Sequence, residues 1–177
     1  IAADIAAMGG RPVAITDILW TPSEEISALI WQGMQAAAGA YGVPIVGGGT
    51  GAYSYKILGE LGGLTQFGCH LEELPPGSRS GHRHWHEDED ELVYLLEGTV
   101  VLIEDHETTL HPGDMATWPA GHPVGHCLEN RSNAPARYLV VGTRRQTDTI
   151  TYPDHDLITH KDGTSRRYMH ADGRPYP

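Results

Sequence analysis

Two patterns of apolar positions follow one another along the chain. Residues 1–55 read helix, strand, helix, strand. The clearest element starts at Thr21, an N-cap residue followed by Pro22 at the first helical position and by Glu24 three residues after the cap, a capping box. Ile26, Leu29, Ile30, Met34 and Ala37 then recur at helical spacing, and Gly42 supplies the stop. Residues 43–46 read as a short buried strand running into Gly47-Gly48-Gly49. From Leu64 onward the period tends toward two, which predicts strands over 64–74, 83–86, 91–97, 99–104, 108–111, 115–118, 126–129 and 137–142. Pro75-Pro76-Gly77, Gly98, Pro112-Gly113-Asp114, Pro119-Ala120-Gly121 and the stretch 130–135 separate most of them. Many short strands at this spacing predict an antiparallel sandwich or barrel. After Thr143 the chain turns polar, with Pro153, Gly163, Gly173 and Pro175, and an extended arm is expected there. The reading divides the chain into an α/β segment at 1–55, a barrel at 56–145 and a C-terminal arm at 146–177.

Composition sharpens the division. All 11 His lie between His70 and His170, and residues 1–55 contain none. The first segment has a net charge of −3 and the remainder −8, for a total of −11. A polyanion would meet repulsion and no basic patch, so nucleic acid is not an expected partner. The uncharged stretch 26–55 is interrupted by Gln32, Gln35, Pro44 and several Gly, and the apolar run 92–96 ends at Glu97, so no membrane span is expected. Residues 1–10 carry no basic residue ahead of an apolar core and do not read as a secretion signal. Cys69 and Cys127 make no disulfide framework, and a cytoplasmic protein is expected.

The chemistry concentrates in the second segment. His84 and His86 are separated by one residue, so on a strand both point to one face, where a metal can bridge them. Glu91 follows after a turn, and His126 opens a later strand. Together they make a set of three imidazoles and one carboxylate, suited to Zn, Mn, Fe, Ni or Cu and leaving positions open on an octahedral ion. Glu91 competes for the carboxylate role with Glu87 and Glu89 of the acidic run 87–91, whose other members read as a solvated loop. His82 and His122 are candidates for the surroundings of the site, as surface positions or as groups facing a substrate. Arg79 and Arg83 flank the motif, to receive an anionic substrate or to pair with the acidic run. Trp85 and Tyr94 alternate away from the metal face, and Cys127 points opposite to His126. His70, His106, His111, His155, His160 and His170 fit no ligand spacing and read as structural.

Residues 56–177 resemble the small single-domain cupins. Gly77, His84, His86, Glu91 and Gly98 match the first cupin motif in order, and Gly113, Pro119, Gly121, His126 and Asn130 match the second. Gly77 stands one residue further from the His pair than in the usual pattern, and four residues rather than two separate Gly121 from His126. His126 keeps its three-residue spacing to Asn130, which favours it over His122. The words Arg-His-Trp-His, Asp-Glu-Leu-Val-Tyr-Leu-Leu-Glu-Gly and Asn-Arg-Ser are similar to a bacterial cupin subgroup often compared with sugar-phosphate isomerases. The resemblance implies a double-stranded β-helix, or jelly-roll barrel, holding one divalent transition metal (Zn, Mn, Fe or Ni) on His84, His86, Glu91 and His126. It also implies a small-molecule ligand and makes a homodimer through edge strands or arms an expectation.

Residues 4–51 resemble part of the N-terminal domain of the aminoimidazole ribonucleotide synthetase superfamily, through Asp4-Ile5-Ala6-Ala7-Met8-Gly9-Gly10-Arg11-Pro12 and Tyr41-Gly42-Val43-Pro44-Ile45-Val46-Gly47-Gly48-Gly49-Thr50. In that family an Asp at the position of Asp4 helps to bind metal and ATP. Gly49 stands where a His is common, and about 50 residues are marginal for burying a core. This segment is expected to be a fragment joined to the barrel. The leading functional expectation is a metal-binding enzyme acting on a small polar metabolite, isomerase-like or oxygenase-like. The alternatives are a metal-dependent binding or sensing module without turnover, and an ATP-binding role for the first segment.

Overall fold

The structure, a computed structural model, describes residues 54–176 together with two short strands in the first segment. Those two, β1 (Ile15–Thr16) and β2 (Ile45–Val46), pair in parallel. The helix expected from Thr21 onward and the Asp4 and Gly-rich words lie outside the described residues.

Every strand expected between residues 64 and 142 is present. β3 (Ser54–Ile57) and the single turn of α1 (Leu58–Leu61) lead into β4 (Phe67–Leu74). Then come β5 (Trp85–His86), β6 (Glu91–Glu97), β7 (Val100–Ile103), β8 (Glu107–Leu110), β9 (Met115–Trp118), β10 (Cys127–Glu129) and β11 (Ala136–Thr143). Within residues 146–177, read as an extended arm, lies a meander of β12 (Thr147–Tyr152), β13 (Leu157–Asp162) and β14 (Ser165–Met169). The physical reason is alternation: Asp148, Ile150 and Tyr152 share the inner face of β12, and Ile150 pairs with His86. A carboxylate on the inner face and Thr on the outer one make the segment look uniformly polar.

One wall is the sheet β3-β4-β11-β6-β9. The other is made of β14-β13-β12-β5 and β10-β7-β8, tied together by an antiparallel bridge between His84 and His126. Val93 and Leu95 from the first wall and Val100, Leu102 and Leu128 from the second belong to one buried cluster with Leu74, Trp118 and Tyr138. This is the jelly-roll barrel expected from the sequence. Gly98 turns the corner between β6 and β7 at φ 80°. Any side chain there would stand 2.7 Å from Ala136 Cα and Pro135 O, so only glycine fits. Asn130, fully buried, donates through Nδ2 to Leu74 O and Ala134 O and pins the loop that returns into β11.

Candidate metal centre

The ends of short strands deliver the four groups expected from the sequence. The rings of His84 and His86 stand on one side, with centroids 5.2 Å apart, as alternate residues of an extended segment must. His126 comes across the bridge, its ring centroid 5.5 Å from that of His84. Glu91 opens β6 and points back to the same spot. Its Oε2 lies 3.4 Å from His126 Nε2 and 3.8 Å from His86 Nε2. Donor atoms of His84, His86 and Glu91 all lie within 4.8 Å of one another.

Each imidazole is oriented through its other nitrogen. His84 Nδ1 lies 2.8 Å from His82 O, His126 Nδ1 3.2 Å from Val124 O, and His86 Nδ1 2.6 Å from Asp148 Oδ2. Carbonyl and carboxylate oxygens accept only, so each Nδ1 carries the proton and each Nε2 keeps its lone pair. Three lone pairs gathered around a carboxylate oxygen repel one another unless a cation lies among them, so the residues present fit a metal ion. Burial pushes His84 down to about 4 against the pull of Glu91, leaving it a neutral donor near pH 7. Burial acts to raise Glu91, but its polar contact with His126 and the three surrounding imidazoles outweigh it and hold the carboxyl at about 2. Burial acts to lower His86, and the bond to Asp148 and the charge of Glu91 reverse the sign, so its pKa is raised.

Two supporting groups come from positions the sequence reading did not single out. The Asp148 carboxylate is fully buried; one oxygen takes His86 Nδ1–H and the other accepts the Asp88 N–H at 3.0 Å. A carboxylate behind a ligating imidazole fixes its orientation and raises its basicity. Period-two alternation over residues 147–152 was the available signal. Trp118 lies flat on His126, with centroids 3.7 Å apart and an interplanar angle of 7°, and its Nε1 donates to Glu104 Oε1 at 2.7 Å. Register explains its place, because Trp118 is the cross-strand partner of Glu91.

The four groups line a cavity of about 420 Å³, a size suited to a small metabolite. His70, Glu72 and Ser80 add polar atoms to its wall, and Val93, Leu128 and Val140 supply apolar surface. His70, read as structural, is therefore on the cavity wall. His122 is exposed and does not line it; the His82 ring packs edge-on against His155 at 4.1 Å. Neither Trp85 nor Tyr94 lines the cavity. Arg79 and Arg83 do not pair with the acidic run: Arg79 meets Glu129 at 3.4 Å and Arg83 meets Asp105 at 3.3 Å. Within that run Glu87 is exposed as expected, but Glu89 is half-buried, lines the cavity and is paired with Lys161. Cys127 is buried and burial pushes its thiol up, so it is not a nucleophile.

Residues 70–142 match the family described as Cupin domain, and residues 1–64 match the N-terminal domain of AIR synthase related protein. A crystal structure from Silicibacter pomeroyi, described as a sugar phosphate isomerase from a cupin superfamily, is 44% identical at a TM-score of 0.68, covering 71% of this chain and 80% of that one. The chain belongs to the cupin superfamily. A second structure, a candidate sugar phosphate isomerase from Acidithiobacillus ferrooxidans, is similar to this cupin at 28% identity and a TM-score of 0.66, covering 68% of the cupin and 77% of that chain. The curated protein sll0787 of Synechocystis sp., described as uncharacterized, is 54% identical over 57 residues, 32% of this cupin and 18% of that protein. The cupin thus spans a small part of that relative's length. Among the described residues no helix is long and apolar enough to cross a membrane.

Proposed function

We propose that this cupin holds one divalent transition metal, Zn, Mn, Fe or Ni, on His84, His86, Glu91 and His126, and isomerises a small polar metabolite. The observation that carries the reading is the set of three imidazoles, each with Nδ1 engaged and Nε2 turned toward the Glu91 carboxylate. When bound, the metal supplies Lewis-acid polarisation of a substrate carbonyl or enediolate oxygen. The rest belongs to the chain. Asp148 and the carbonyls of His82 and Val124 hold the rings in place; Val93, Leu128 and Val140 keep water from the cavity wall. His70 and Glu72, with Nδ1 4.0 Å from Oε1, and Glu89 add further ionisable groups to the cavity wall.

Ionisable groups on the wall favour turnover over a binding or sensing role, for which an apolar lining suffices. The descriptions of the two solved relatives favour isomerisation over oxidation. Two free thiols, Cys69 and Cys127, go with a cytoplasmic location in this reading. Metal analysis of the purified chain beside a His84→Ala variant tests it: about one metal ion per chain is expected, lost in the variant. A low metal content unchanged by the substitution overturns the reading. If the metal-loaded chain exchanges no isomers across a panel of aldose and ketose phosphates followed by NMR, the binding module takes its place.

A further inference from the structure

The cavity has a second pole, away from the imidazoles. Gly68, His70 and Glu72 alternate along β4 on the cavity side. Beyond the end of β11, Arg144 continues the pairing with β4 by donating its backbone N–H to Gln66 O at 3.0 Å. Its side chain is the one Arg or Lys lining the cavity among the described residues. The space over Gly68 is where these groups meet. The point that a side-chain carbon on residue 68 would occupy lies 3.4 Å from Arg144 Nε, 3.7 Å from Arg144 Nη2 and 3.8 Å from His70 Nε2. Those are the three nearest heavy atoms, and all three are nitrogens able to donate.

We propose that this space is an oxyanion subsite, built by Arg144 and His70 over the bare backbone of Gly68, that takes the phosphate of a phosphorylated open-chain polyhydroxy substrate. The Nε and Nη2 edge of a guanidinium is a two-pronged donor matched to two oxygens of one phosphate. The imidazole adds a third donor through Nε2. Register sets the reach. Gly142 pairs with Gly68 on one side and with Glu91 on the other, so the anion pole and the metal-ligand pole stand two strand spacings apart, about 9.5 Å. A substrate with a phosphate at one end and a carbonyl at the other can bridge that span.

The inference deepens the proposed function and rests on it for the role of the far pole, but the subsite itself is testable alone. Inorganic phosphate is titrated calorimetrically into the full chain as purified, into Arg144→Gln, into Gly68→Ala and into His84→Ala, with metal content and thermal melts recorded for each and acetate as the second titrant. Saturable phosphate binding is expected in the parent chain, weakened at least about tenfold in Arg144→Gln and also weakened in Gly68→Ala, whose new methyl fills the space while Arg144 stays. Melts and metal content should be unchanged in both. His84→Ala should lose metal yet bind phosphate within about twofold of the parent. No saturable phosphate binding in the parent, or equal binding in Arg144→Gln, overturns the subsite. Acetate bound as tightly as phosphate overturns the phosphate assignment. Arg144-dependent phosphate binding in a chain that carries no metal overturns the proposed function and leaves the subsite standing.

Discussion

His84 and His126 face each other as an antiparallel bridge, each donating its backbone N–H to the other's carbonyl, at 3.3 and 3.0 Å. Two candidate ligands far apart in sequence are thereby spaced by the backbone. The bridge is also the seam between β5 and β10, so the same two hydrogen bonds that close one wall of the barrel set the separation of two imidazoles. The longer loop between Gly121 and His126 does not disturb this, because the register of the bridge, and not the loop length, positions the ring.

Asp148 should matter to metal binding without touching the metal. Asp148→Asn keeps the shape but replaces an ionised acceptor at His86 Nδ1 by an amide. Zinc affinity, measured by competition with a chromophoric chelator, is expected to fall about 10- to 100-fold, with the melt of the metal-free protein shifted only modestly. Unchanged affinity would show that His86 needs no carboxylate behind it.

The grouping of the four candidate residues was legible in the sequence and its support was not, for a definite reason. His84, His86 and Glu91 lie within eight consecutive residues, and extended geometry fixes which of them share a face. The eight strands up to residue 142 were legible because Pro and Gly turns bracket them. Asp148 reaches His86 across 62 residues, and Arg83 reaches Asp105 across 22. Neither pairing leaves a local trace, and the polar look of residues 147–152 hid a strand whose inner face carries a carboxylate. Similarly, His70 fits no ligand spacing, yet β4 lays it on the cavity wall because it is in phase with Gly68 and Glu72.

Acid should unfold the metal-free protein in two windows. The folded His84 pKa of about 4 lies below its ordinary 6.5. Between those values the unfolded chain binds the proton that the folded chain refuses, and stability falls as pH falls. Glu91, held at about 2 against an ordinary 4.5, contributes stability that is present above 4.5 and lost as pH drops toward 2. The raised pKa of His86 acts with opposite sign and in a separate window, above pH 6.5. The melting temperature of chelator-treated protein is therefore expected to drop by on the order of 10 °C between pH 6.5 and 4. His84→Leu should flatten that slope; a slope unchanged by the substitution would assign it to other groups.

Trp118 offers a spectroscopic handle on His126. Trp118→Phe keeps an aromatic face against the imidazole but loses the bond to Glu104 and one ring of a buried indole, at a cost of about 2–3 kcal/mol in urea denaturation. Trp118→Ala removes the stacked surface and should cost about 3–5 kcal/mol and weaken metal binding as well. If both variants bind zinc with parental affinity, the stacking serves the core alone.

The corner at Gly98 separates two reasons for needing glycine. At Gly77 and Gly98 the backbone has positive φ, 75° and 80°, so any L-residue is strained by about 1–2 kcal/mol. At Gly77 nothing stands within 4 Å of an added side-chain carbon, whereas at Gly98 that carbon would meet two backbone atoms at 2.7 Å. Backbone on both sides of the contact cannot rotate away as a side chain can, so β6 and β11 must part. Gly77→Ala should therefore cost about 1 kcal/mol, and Gly98→Ala about 2–4 kcal/mol, the strain plus the overlap. Because β6 carries Glu91 at its other end, the larger loss should come with weaker metal binding, read in the same chelator competition. Equal losses at the two positions in urea melts would mean that the corner relaxes freely and that strain alone governs both turns.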